Sequence, residues 1–172
     1  MIGIMIKRIV WAVIFIVIAA FLQSTIIRHF ALLHTIPDLT LIILVFAAYT
    51  NGTMSGQITG FFSGLLLDFI SAAPLGFNAL VRTIIGAAVG LIKGIFFLDI
   101  IFLPMFLSGG ATILKAICRN LLSLIFSNTI LPYNFLQSIF WIELGLNIAI
   151  APIIFALLKL AKNLLTEGRK IK

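Results

Sequence analysis

Apolar residues run through this chain in long stretches, with polar positions confined to short breaks between them. The first stretch covers 9–27, preceded by Lys7 and Arg8, and later ones cover 38–51, 55–71, 79–98, 101–126 and 135–160. A helix crossing a bilayer needs about 20 mostly apolar residues. The pattern therefore predicts an all-α polytopic membrane protein with about six transmembrane helices in a single integral membrane domain over 1–172. The second stretch is short for a span and meets a tight turn at Asn51-Gly52. The fifth starts at 101 or, if Pro104 and Ser108-Gly109-Gly110 break it, at 111, with 101–107 lying in the interface. The first stretch also has the form of a secretory signal. Its length, the poor cleavage site Ile18-Ala19-Ala20 and the further stretches after it favour an uncleaved span.

Within this frame the small residues are regularly placed. Gly52, Gly56, Gly60 and Gly64 fall four apart and Asp68 continues the series. Asn78, Arg82, Gly86, Gly90 and Gly94 repeat the spacing on the next stretch. Residues four apart share a helix face, so two seams without side chains can press together, a main source of helix association in lipid. Antiparallel packing across the short loop puts Asp68 and Arg82 at one depth. A locking ion pair with Asn78 as a capping group is the simpler expectation, and a pocket for a ligand or partner residue the other.

The last two stretches carry Lys115, Arg119, Glu143 and Asn147, with Arg119 and Glu143 at similar depth. An unpaired charge there costs at least about 2.5–3.5 kcal/mol on insertion scales, so pairing or a wet cavity is expected. Three readings stay open for this polar pocket: a buried ionic lock, a site for an anionic headgroup or partner carboxylate, and a proton relay. Pro37 and Asp38 open the second stretch. That stretch and the fifth, short or interrupted, suggest a groove where a single-span partner docks.

Composition sharpens the picture. The 172 residues are 62% hydrophobic and 10% charged, with mean hydropathy +1.26. This leaves no room for a separate soluble domain. The net charge of +7 comes largely from residues at the ends of the stretches, among them Lys159 in the last one and Lys162, Arg169, Lys170 and Lys172 in a basic tail over 161–172. Such anchors place both termini, and Lys93, on the cytoplasmic side, and they do not form a nucleic-acid groove. Cys118 is the sole cysteine, which excludes an intrachain disulfide and a cysteine metal cluster. His29 and His34 are a weak metal pair and read better as interfacial loop residues. No enzyme motif is present and no cofactor is expected.

The chain resembles the rod shape-determining protein MreD family. The resemblance rests on Ile36-Pro37-Asp38-Leu39, on Gly60-Phe61-Phe62-Ser63-Gly64-Leu65-Leu66-Leu67-Asp68 with Leu75-Gly76-Phe77-Asn78-Ala79-Leu80, and on Leu146-Asn147-Ile148-Ala149-Ile150-Ala151-Pro152 before the basic tail. It implies a non-catalytic scaffold or regulator of peptidoglycan synthesis during cell elongation, in the bacterial cytoplasmic membrane among its lipids. The implied partner is the bitopic protein MreC and, through it, MreB, RodA and a class B penicillin-binding protein. The fold it implies is similar to the substrate-binding S component of energy-coupling factor transporters, so a vitamin or metal uptake component is the alternative. Against that alternative, the first stretch lacks the small residues four apart by which such components dock their energising partner.

Overall fold

The most apolar short helix lies at the centre. The computed structural model describes residues 2–25, 35–71, 73–95, 101–125, 135 and 137–161. Six helices lie among them: α1 (Ile2–Thr25), α2 (Leu39–Asn51), α3 (Thr53–Ile70), α4 (Phe77–Leu91), α5 (Phe102–Ile125) and α6 (Ser138–Leu160). Every residue of α2 from Leu39 to Ala48 is buried, and α2 packs against each of the other five helices. Its apolar side chains fill the space they enclose, with Phe46 meeting Phe155 of α6 edge-on at 5.1 Å between ring centroids. Three helical segments, Met5–Thr25, Phe102–Ile125 and Ser138–Leu160, are long and apolar enough to cross a membrane.

The outward faces are also apolar. Ile6, Val10, Ile14 and Ile18 project from α1 at four-residue intervals, and Ile113, Ile117 and Leu121 do so from α5, with Phe106 seven residues earlier. Exposed apolar surface on this scale needs a lipid or protein cover.

The chain passes from α2 to α3 at Gly52, whose φ of 92° favours a residue without Cβ. A single residue thereby reverses the path, since the Gly52 N–H still closes onto the Ala48 carbonyl. α3 and α4 then pack closely along the glycine seams. A Cβ on Gly56 would fall on the Gly86 carbonyl oxygen, one on Gly60 on the Arg82 carbonyl, and one on Gly64 on the Asn78 carbonyl. Ser55, Thr59 and Ser63 form a second buried small-residue stripe on α3.

One expectation about a helix end is corrected, and of two starts left open for another the earlier is found. α4 stops at Leu91 rather than continuing to 98, because the chain turns over 92–95. Gly94 therefore lies outside the seam, with φ of 78° and open space around its Cβ position. α5 runs unbroken from Phe102, so 101–107 is no separate interfacial segment. Pro104 sits in its first turn, where the missing N–H has no helical acceptor to lose.

Gly110 of α5 and Gly145 of α6 are a contrast to the seams. Gly110 and Gly145 have nothing within 4 Å of a built Cβ. Gly110→Ala and Gly145→Ala should each leave thermal stability in detergent unchanged or raise it by up to about 1 kcal/mol, the helix-propensity gain of alanine.

Candidate functional site

The site is assembled where α2, α4 and α6 begin. Asp38 sits at the N-cap of α2, where its Oδ1 accepts from the Leu41 N–H at 2.9 Å and the Thr40 hydroxyl at 2.8 Å. A carboxylate there also meets the positive end of the helix dipole. From α4, the Arg82 Nη2 donates to both oxygens of Asp38, at 2.9 and 3.0 Å. From α5, the Lys115 ammonium reaches Asp38 Oδ2 and Glu143 Oε1, each at 2.7 Å. Asn147, one turn beyond Glu143 on α6, accepts the Asp38 backbone N–H at 2.8 Å and donates to the Thr112 hydroxyl at 3.0 Å. The outcome is an alternating chain of charges, Arg82–Asp38–Lys115–Glu143, that ties four helices together.

Burial makes this arrangement consequential. Asp38, Arg82, Glu143 and Asn147 are all buried, while the Lys115 side chain keeps 20% of its surface open. The two acids and two bases cancel formally, as a low-dielectric interior requires. Arg82 Nη1 is buried without a hydrogen-bond partner among the described residues, leaving its two N–H groups for a water or an incoming acceptor.

Several expected pairings change. Arg82 does not pair with Asp68; its guanidinium turns to Asp38, 44 positions earlier. Asp68 instead caps α4, accepting the N–H groups of Gly76 at 2.9 Å, Asn78 at 2.8 Å and Ala79 at 3.2 Å. These are N–H groups that an α-helix start leaves without partners, so the carboxylate closes the hairpin through backbone rather than through a cation. Asn78 contributes its main-chain N–H to this cap, while its side-chain amide lies 3.4 Å from Ser71 Oγ. Asp68→Ala should lower thermal stability by about 1–3 kcal/mol, the cost of stranding buried donors. Asp68→Asn, which retains an acceptor, should lose less in the same detergent melt.

Lys115, Glu143 and Asn147 converge, with Lys115 holding the carboxylate. Arg119 lies half-buried one turn further along α5. Pro37 and Asp38 are buried rather than displayed, and α2 is enclosed, so neither they nor a groove between α2 and α5 offers an open docking rim. The central place of Asp38 was missed. The clue was local: Asp38 precedes an apolar helix and follows proline, the position of a capping carboxylate. His29 and His34 lie outside the described residues.

Comparison with known families decides what kind of protein carries this core. A family model for the rod shape-determining protein MreD matches residues 5–161. The chain belongs to the MreD family. No curated protein and no solved structure matches it. MreD membership makes the protein a membrane component of rod shape determination. Within the matched range, Asp38 at the start of α2, Asp68 and the glycine seam on α3, and Asn147 on α6 are all buried.

Proposed function

We propose that this protein is a six-span scaffold of the cell-elongation machinery in the bacterial cytoplasmic membrane. It binds a bitopic MreC-like protein and, through it, MreB, RodA and a class B penicillin-binding protein. The family match over residues 5–161 carries this reading. The core agrees with it physically. Asp38 and Glu143 are held by cations and Asp68 by backbone N–H groups, which suits a rigid body better than an acid–base site.

In this reading α2, about 20 Å long at ~1.5 Å per residue, is too short to cross a core about 30 Å thick unaided. Non-helical residues Ile36–Asp38 carry the chain inward instead. Backbone at that depth is tolerated only when buried in protein, and the bond from the Asp38 N–H to Asn147 meets that condition. Lys7, Arg8, Lys93 and Lys159 flank the opposite end of the bundle, which the positive-inside rule assigns to the cytoplasm with both termini. The charge chain then lies in the outer half of the membrane.

The transporter alternative has less support. The small residues Ala12, Ala19 and Ala20 of α1 face the core, so they are not available to an energising partner.

Co-purification in mild detergent with the MreC-like protein of the same organism tests the proposal. A stoichiometric complex with wild type is expected, with weaker recovery for Asp68→Ala where its own elution profile stays monodisperse. Absence of a complex, together with a vitamin or metal retained through purification, would favour the transporter.

A further inference from the structure

We propose that the outward face of α3 around Gln57 is a homodimer interface, with the Gln57 amides of two copies bonded to each other. The outward faces of the other long helices are apolar, as Val10 and Ile14 on α1, Ile113 and Ile117 on α5, and Ile153 and Leu157 on α6 illustrate. Gln57 differs. It is exposed about 6 Å into α3 at ~1.5 Å per residue, and its side chain makes no hydrogen bond among the described residues. Away from the helix ends, it is the one exposed uncharged polar side chain among the described residues. The inference rests on the six-span reading, in which α3 crosses the membrane; an amide turned toward hydrocarbon there is poorly placed unless another helix satisfies it.

The identity of that helix follows from symmetry and chemistry. Copies inserted in one orientation and related by a twofold axis along the membrane normal place every residue at the depth of its counterpart. A carboxamide carries both donors and an acceptor, so Gln57 facing its own copy can form two reciprocal N–H···O bonds. No partner with a depth-matched polar group needs to be assumed. Met54 and Phe61, one turn to either side and 64% and 47% exposed, supply the apolar contact that surrounds the pair. The seam with α4 lies on a different side of α3 and stays intact. The inference is independent of any bitopic partner.

Disulfide cross-linking of the full chain in bacterial membranes tests it. In a Cys118→Ala background, Met54→Cys should give a disulfide-linked homodimer on oxidation with copper–phenanthroline, whereas Ile14→Cys and Ile117→Cys should not. Adding Gln57→Leu should weaken the dimer about three- to thirty-fold, read as energy transfer between labelled copies diluted in vesicles, the range expected for one interhelical hydrogen-bond contact. Gln57→Asn should retain most of the association. Linkage through Ile14→Cys or Ile117→Cys instead, a Met54→Cys dimer indifferent to Gln57→Leu, or linkage only to a different protein would each overturn the proposal.

Discussion

Asp38→Ala is expected to be among the most damaging single substitutions in this chain, lowering stability by about 3–5 kcal/mol, the usual cost of breaking a buried ion pair from one side. The mechanism is specific. Arg82 loses the two oxygens that its Nη2 contacts, and Lys115 loses its bond to Oδ2. The first turn of α2 also loses its cap at Leu41 and the contact with Thr40. Asp38→Asn should be milder at the cap, because it can still accept from Leu41, but it still leaves Arg82 without a counter-charge. The double change Asp38→Asn with Arg82→Met removes both charges and should recover a substantial part of the loss, since replacing a buried pair is far cheaper than halving it. The check is thermal unfolding of purified protein in detergent together with the amount accumulated in membranes. If Asp38→Ala melts like wild type, the charge chain does not hold the bundle together.

Sequence made the seams of this fold legible but not the partner of each charge. Glycines four apart have one economical explanation, a close backbone approach, and Gly56 against Gly86 and Gly60 against Arg82 set the register of α3 on α4. Depth matching points to Arg119 as the neighbour of Glu143, whereas the Glu143 carboxylate meets Lys115, one turn deeper on the same helix as Arg119. Periodicity fails at the next step. It says which face a residue occupies, but not which of the surrounding helices supplies the opposite charge. Asp68 and Arg82 share a depth, yet Asp68 lies near enough to the start of α4 to bind its open N–H groups, which frees Arg82 for Asp38. Nor did length reveal that α2 is the centre. A helix of 13 residues reads as a weak span by count, while its unbroken apolar run is what full enclosure by five helices requires.

The polar chain and the seam therefore both hold α4: it is pinned to the start of α2 by the Arg82–Asp38 pair and to α3 by backbone proximity. Arg82 belongs to both. Its carbonyl lies where a Cβ on Gly60 would fall, and its guanidinium reaches Asp38. A shift of α4 away from α3 would thus also move a buried cation relative to its carboxylate.

That coupling sets the expected result for Gly56→Val. The new side chain would occupy the position of the Gly86 carbonyl and crowd the Ala48 methyl, 2.8 Å from its Cβ, and neither backbone can yield by a rotamer change. Overpacking of a tight core typically costs about 1–3 kcal/mol. Here the cost should reach or exceed the upper end of that range, because separating the helices also lengthens the Arg82–Asp38 contact. Gly56→Ala should show the same direction with a smaller size, and Gly110→Ala, an alanine placed in open space on α5, should show none of it. Detergent melting curves of the three variants separate steric exclusion at the seam from a general dislike of losing glycine. Equal melting for Gly56→Ala and Gly110→Ala would mean that α3 and α4 can part at little cost, and that the seam does not set their spacing.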